Sequence, residues 1–256
     1  MSDFSFDVVE KVSQKKPFIM IYGPAGVGKT TFAANAKKPI FIQTEDGSGE
    51  LTIRTIKDGI FTSFEEVMAG LRYLYKNADE IDFDSLVIDS IDHLEPLVWK
   101  YVCQKNDWDS IESPGYGRGY IECDKAWQEL IGALCLLKDK KGITIIVLAH
   151  DQIRIANDPM VEPYDIHEIK LHKRATALWK ENADVIGLLR TIIVKDQKTG
   201  KAKGGTSPTL FVRPNAAYTA KTRYLTMPAS IPISANDGWH DFAQYIPVLS
   251  HNENEE

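Results

Sequence analysis

Residues 20–35 read MIYGPAGVGKTTFAAN, and this stretch decides the fold. Three apolar residues close a strand, the next eight fit G-x-x-x-x-G-K-[ST] at every position, and a helix-forming run follows. Gly23, Pro24, Ala25, Gly26, Val27, Gly28, Lys29 and Thr30, with Thr31 behind them, therefore form a phosphate-binding loop. Its glycines let backbone amides turn inward around phosphate groups, and the helix N-terminus behind them adds a favourable dipole. In that arrangement Lys29 would reach the β- and γ-phosphates of a nucleoside triphosphate, and the Thr30 hydroxyl would ligate Mg²⁺.

A phosphate loop of this kind needs a second oxygen ligand for the metal. Residues 86–89, LVID, form an apolar strand ending in Asp89, expected to serve Mg²⁺ from the strand end adjacent to the glycine loop. The bland alternative for Asp89 is a strand-terminal turn aspartate. Hydrolysis also needs a group to orient the attacking water. Many ATPases with this loop carry a glutamate directly after the strand-end aspartate, but here that place is taken by Ser90. The run IFIQTE, residues 40–45, supplies an alternative in Glu45, with Asp46 beside it. A carboxylate at the carboxyl end of a neighbouring parallel strand points into the same crevice. The bland alternative is an exposed acid before Gly47.

Outward from the loop, short apolar runs at 18–22, 40–44, 86–89 and 143–149 read as buried parallel strands. Helices fall between them. One follows the glycine loop. A second begins at the capping box Ser63-Phe64-Glu65-Glu66, in which hydroxyl and carboxylate satisfy each other's free amides. A third carries Trp127, Leu130, Ile131, Leu134 and Leu137 at helical spacing and stops at Gly142. The expected fold is α/β, a mostly parallel sheet flanked by helices. Beyond residue 175 the pattern becomes β-rich. Residues 185–194, 210–213 and 224–227 read as strands around the glycine-rich turn 197–208, giving a C-terminal antiparallel extension over about 185–230.

A chain of 256 residues with 43% hydrophobic and 26% charged content can bury one good core. The longest apolar run, 143–149, is far too short to span a bilayer, and the first residues, MSDFSFDVVEKVSQKK, lack the apolar stretch of a secretory signal. Three cysteines without CxxC spacing fit a reduced, cytoplasmic setting and imply no zinc site. His167 and His172 have no matching ligand set for a metal either. The net charge of −6 argues against indiscriminate nucleic-acid binding, yet Lys195, Lys198, Lys201, Lys203, Arg213, Lys221 and Arg223 fall in one basic stretch. On composition alone that stretch is as well read as a solvated hairpin.

A glutamate after the strand that follows the phosphate-loop helix, combined with a bare Asp89-Ser90, resembles the arrangement of RecA/RadA-type ATPases. The segments LVIDSIDHLEP and IIVLAHDQIRIA, the latter with Gln152-Ile153-Arg154, are similar to that family's Walker B strand and to the strand entering its second DNA-binding loop. The resemblance covers most of 18–190 and is strongest to the compact, core-only RecA-like ATPases of phages. It implies ATP and Mg²⁺ as cofactors, with Lys29, Glu45 and Asp89 as working groups, and His150 at a strand end that senses the γ-phosphate. A structural histidine is the equal alternative. It implies a first DNA loop over 105–120, where Trp108, Tyr116, Arg118 and Tyr120 would stack on bases or meet phosphate. A second loop would run over 154–174, with Arg154, Lys170, Lys173 and Arg174 as phosphate contacts. A surface loop with buried aromatics and an ordinary basic helix start are the competing readings. Lys221 and Arg223 would reach a neighbour's γ-phosphate in trans.

The resulting expectation is one RecA-like ATPase domain over 18–249. An N-terminal segment, 1–17, would touch a neighbouring subunit through Phe4 and Phe6, and an acidic tail, 250–256, would be disordered. The implied activity is DNA-stimulated ATP hydrolysis by a homo-oligomer, ring or filament, with ATP at the subunit interface. Single-stranded DNA would be the partner, alongside a single-strand-binding protein, and phage recombination or annealing the purpose. Two alternatives stay open: a helicase-related motor or loader on DNA or protein, and a nucleotide-gated DNA-binding module with little turnover. Neither added domains nor a clear polymerisation hook is legible, which leaves filament formation and strand exchange unassigned.

Overall fold

Burial on both faces dictates the centre of the molecule. The computed structural model describes residues 15–47, 49–195 and 202–250. Phe4 and Phe6, Lys198, Lys201, the side chains of Lys195 and Lys203, and the acidic tail beyond 250 lie outside the described residues. The strand β1 (Phe18–Gly23) is buried at all six positions, and its apolar side chains feed two separate cores. Phe18, Met20 and Tyr22 face one side of the sheet, and Ile19 and Ile21 the other, as a two-residue period requires.

The remaining elements are α1 (Lys29–Ala34), β2 (Pro39–Gln43), α2 (Phe64–Lys76), β3 (Ser85–Asp89), α3 (Ile91–Lys105), α4 (Arg118–Lys141), β4 (Thr144–Ala156), β5 (Tyr164–Ile169) and α5 (Lys173–Asn182). After them come β6 (Val185–Lys195), β7 (Ala202–Phe211), β8 (Lys221–Thr222), β9 (Ser230–Pro232), α6 (Gly238–Ala243) and α7 (Pro247–Ser250). The sheet runs β2-β3-β4-β1-β6-β7-β9. Strands β2, β3, β4, β1 and β6 pair parallel, and β7, β8 and β9 add antiparallel, which is the expected α/β core with its C-terminal extension.

One prediction about this sheet needs correcting. Strand β3, which ends in Asp89, is not adjacent to β1; β4 lies between them, with Leu148 paired both to Ile21 and to Asp89. Helices α2 to α5 cover one face, where Trp179 packs edge-on against Phe18 and Trp127 at centroid distances of 6.0 and 5.6 Å. On the other face α1 and α6 meet through Phe32, Trp239 and Phe242.

Local signals set the helix ends. Ser63 caps α2 by accepting the Glu66 amide at 3.2 Å, but Glu66 does not reciprocate as expected: its carboxylate takes the Thr62 amide at 2.8 Å and the Lys57 ammonium at 2.6 Å. Gly142 closes α4 in the left-handed conformation at φ 69°. Two further segments differ from expectation. Residues 224–227 form a turn rather than a strand, with Met227 donating to the Tyr224 carbonyl and Leu225 exposed. Helix α4 starts at Arg118, so Arg118 and Tyr120, expected in a loop, lie on its first turn.

Candidate nucleotide site and adjoining groove

Four parallel strands end at one crevice and deliver one functional group each. At the end of β1, Gly23 has no room for a side chain: a Cβ there would sit 2.0 Å from the Leu189 carbonyl oxygen of β6. Gly26 and Gly28 follow with φ of 74° and 99°, the left-handed region that glycine enters without steric cost. The loop then turns directly into α1 at Lys29. The Lys29 ammonium donates to the Gly23 and Pro24 carbonyls at 2.9 and 3.0 Å, and burial lowers its pKa.

The Thr30 hydroxyl donates to Asp89 Oδ2 at 2.8 Å. Asp89 is 3% exposed. Burial drives its carboxyl up to about 6, with the Thr30 bond opposing and the Glu45 charge adding to the rise. A buried carboxylate beside a hydroxyl is an oxygen-only donor pair, and its charge is costly there without a cation. That chemistry fits a hard ion such as Mg²⁺.

Strand β2 reaches the same place through Thr44, whose amide donates to the Asp89 carbonyl at 2.8 Å. The Thr44 hydroxyl donates to the Ser90 carbonyl at 2.6 Å and lies 3.1 Å from the Ser90 amide. This clasp brings Glu45 over the end of β3, where its Oε1 accepts the Ser90 hydroxyl at 2.6 Å. The Asp89–Ser90 peptide is cis. His150, expected at a strand end, lies midway along β4 as the last residue of that strand paired to β1, opposite Gly23. Sequence reasoning therefore gathers Lys29, Thr30, Glu45, Asp89 and His150 into one crevice.

It misses three residues of α3. Asp92 is 9% exposed and accepts both the His150 amide and His150 Nδ1, each at 3.0 Å. Burial would raise its pKa, but these bonds and the His150 charge outweigh it and hold the group at about 2. His93 Nδ1 lies 2.9 Å from Ser90 Oγ and 3.2 Å from Glu45 Oε1. Glu95 accepts the His172 amide with both oxygens at 3.0 and 3.1 Å, and burial lifts its carboxyl to about 7. The one signal for them is spacing: residues three apart on a helix share a face, and DSIDHLE places Asp92 and Glu95 so.

Beyond His150, β4 leaves the sheet and continues as a hairpin with β5, in register from Asp151–Ile169 to Ala156–Tyr164. The expected second loop over 154–174 is thus strand, turn, strand and the start of α5. Arg154 donates to the Leu171 carbonyl, and Lys170 stands 3.7 Å from Asp92. These two line a groove with Asp92, His93, Glu95 and His172. Arg174 is held by Asp124, its Nε donating at 3.0 Å. Tyr120 stacks on His172 at 4.0 Å with rings 8° from parallel, and its hydroxyl donates to Glu112 at 2.6 Å. Tyr116 is fully exposed, and Arg118 lies with Trp108 in a separate depression. Arg154, Lys170, His172 and Tyr120 therefore come together, whereas Tyr116 and Arg118 do not join them. Lys221 donates to the Lys180 carbonyl at 2.7 Å and Arg223 pairs with Asp184 at 2.6 Å, both at the C-terminal end of α5.

The phosphate loop, the acid two strands away and the glutamate on the next strand define the class: a RecA-like P-loop ATPase core. Residues 15–224 match the family model AAA_24, described as an AAA domain, and the chain belongs to that family. A curated relative, the SPbeta prophage-derived uncharacterized protein YorG of Bacillus subtilis (strain 168), is 26% identical over 176 residues. That match takes in 66% of this chain and 49% of YorG, so the chain spans about half the length of this relative. Among solved structures, the crystal structure of the RadB recombinase aligns with a TM-score of 0.46 at 17% identity, over 87% of this chain and 90% of that one. Among the described residues, no helix is long and apolar enough to cross a membrane.

Proposed function

We propose that the chain hydrolyses ATP with Mg²⁺ and couples turnover to single-stranded DNA held in the groove between α3 and the β4–β5 hairpin. The observation that carries the catalytic half is the placement of Glu45 at 2.6 Å from Ser90, beside an Asp89 that already holds Thr30. The amides around Gly26 and Gly28 cradle the phosphates, and Lys29 turns from its loop carbonyls to the β- and γ-phosphates. Thr30 and Asp89 would hold Mg²⁺, which when bound neutralises charge developing on the phosphate oxygens. Glu45 orients the attacking water and takes its proton. His150, opposite Gly23 and fixed by Asp92, registers whether the γ-phosphate is present.

The DNA half is supported by continuity. Asp92 touches His150 on one side and Lys170 on the other, so the crevice and the groove share a residue. Arg154, Lys170 and Lys173 would meet phosphate, and the Tyr120–His172 stack offers a platform for a base. Recombination or annealing in a phage setting, and a homo-oligomer with Lys221 or Arg223 acting across an interface, complete the reading.

ATP turnover measured with and without single-stranded DNA, at low and moderate salt and with particle size recorded in parallel, tests it. Stimulation that fades with salt is expected, and turnover indifferent to DNA at both salts removes the coupling. Glu45→Gln should lower turnover by about 10²–10⁴-fold while ATP binding persists; normal turnover refutes the role of Glu45.

A further inference from the structure

At the mouth of the crevice, next to the oxygen pair Thr30 and Asp89, lies a donor set of different chemistry. Glu45, His93 and His150 each offer one ligand atom, and these atoms all lie within 4.8 Å of one another. They come from three separate elements: the turn after β2, the first turn of α3 and the point in β4 where its pairing with β1 stops. Glu45 Oε1 and His93 Nδ1 are already 3.2 Å apart. Zinc–ligand bonds of about 2.0–2.2 Å put neighbouring tetrahedral ligands roughly 3.4 Å apart, so a small inward movement closes the set. His93 supplies it: its side chain is 42% exposed, and turning inward exchanges its 2.9 Å contact with Ser90 Oγ for the metal.

The surroundings of His150 are those of a metal-binding imidazole. Its Nδ1 lies 3.0 Å from Asp92 Oδ2, and Asp92 also accepts the His150 backbone amide. With a carboxylate as partner, Nδ1, which also lies 4.0 Å from Glu45 Oε1, carries the proton and Nε2 keeps the lone pair, so a modest turn of the ring brings Nε2 to the metal. A carboxylate behind a ligating histidine fixes the ring and raises its basicity. Two imidazoles and one carboxylate, with a fourth position open to water, suit zinc-type ions rather than Mg²⁺, which prefers oxygen.

We propose that Glu45, His93 and His150 form a second cation site, selective for a borderline divalent transition metal of the zinc type, and that its occupation arrests ATP turnover by claiming Glu45. Metal binding stands on the geometry alone. The arrest rests on the reading of Glu45 as the hydrolytic base. With the metal in place, the carboxylate lone pair that takes the proton of water is engaged, and hydrolysis stops without loss of the nucleotide.

Zinc is titrated into the full chain without nucleotide or Mg²⁺, against a chromophoric chelator. One tight equivalent is expected, weakened at least about 10–100-fold by His93→Ala and by Glu45→Gln and retained in Asp89→Asn. Cobalt in place of zinc should give visible ligand-field bands of a nitrogen–oxygen site. No stoichiometric binding, binding indifferent to His93→Ala, or a cobalt–thiolate charge-transfer band placing the ion on cysteines would each overturn the site. In a second arm, zinc is added to the chain turning over Mg-ATP, each protein scored against its own zinc-free rate. Inhibition of the natural chain that His93→Ala resists by about tenfold or more in zinc concentration is expected. Stoichiometric binding without inhibition of an active enzyme overturns the arrest alone. A chain that binds zinc but never turns over instead refutes the catalytic reading, and leaves the site standing.

Discussion

Glu95→Gln should make the protein more stable above neutral pH. Glu95 is 7% exposed, its carboxylate faces the negative Asp92, and the His172 amide and the Arg154 charge compensate only in part. Its carboxyl therefore rises from the usual 4.5 to about 7. A raised acid pKa means the folded state holds the proton longer than the unfolded chain. Stability from Glu95 is then full below about pH 4.5 and is lost as pH climbs to about 7. At 1.36 kcal/mol per pH unit, the loss comes to about 3 kcal/mol at most, since water reaches the groove. Asp89 contributes with the same sign up to about pH 6, and Asp92 with the opposite sign below the usual aspartate value of 3.8. Both cancel when the variant is subtracted from the natural chain. Urea unfolding of both proteins from pH 4.5 to 8.5 gives that difference. It should be near zero at the acid end, where glutamine keeps an acceptor for the His172 amide, and reach about 2–3 kcal/mol in favour of Glu95→Gln by pH 8. A difference that stays flat across this range would refute burial as the cause.

Gly23→Ala forces a Cβ to 2.0 Å from the Leu189 carbonyl. It should cost about 1–3 kcal/mol in urea unfolding and weaken binding of a fluorescent ATP analogue through the same strand shift. Trp179→Ala removes a fully buried ring wedged between Phe18 and Trp127, for about 3–5 kcal/mol in the same assay. Asp92→Asn leaves an acceptor for the His150 amide but sets an NH₂ donor against His150 Nδ1. DNA stimulation of ATP turnover should fall toward unity in that variant, while basal turnover changes less; unchanged stimulation would separate Asp92 from the coupling.

What was legible in the sequence is what is local. The glycine loop, Asp89 at the end of LVID and Glu45 at the end of IFIQTE each announce themselves within eight residues, because strand ends in a parallel sheet share one edge. The strand order was not legible: nothing in β4 says that it runs between β1 and β3. Residues 224–227 read as a strand because the run is β-rich, yet Leu225 points to solvent and Met227 is buried under a turn set by Thr222 Oγ1. Asp92, His93 and Glu95 hid in a run that also carries Ile91, Leu94 and Val98 into the core, so their polar atoms read as an ordinary helix face. The capping box at Ser63 gave the start of α2, but the partner of Glu66 depended on Lys57 and Thr62, whose approach no pattern shows.

The position of β4 explains why the crevice and the groove can act together. A strand between β1 and β3 is paired to β1 as far as His150 and to β3 as far as Leu148, so a shift of this strand moves Gly23 or Asp89 with it. The same chain continues without a break into the hairpin, whose Gln152 and Arg154 bond the carbonyls of Ile169 and Leu171. A second tie runs from β1 itself: the buried Tyr22 hydroxyl, just before Gly23, donates to the Thr219 carbonyl at 2.6 Å and reaches the His167 carbonyl of β5 at 3.2 Å. Burial raises the pKa of that phenol, so it stays a donor across the working pH range. The hairpin is therefore held at its base by β4, which continues into it, and by β1, the strand that leads into the phosphate loop. Any rearrangement of Gly23–His150 on nucleotide binding is carried into it by covalent chain and by hydrogen bond, and Asp92 closes the loop from α3. The coupling proposed above would then run through β4 at His150 and through Asp92.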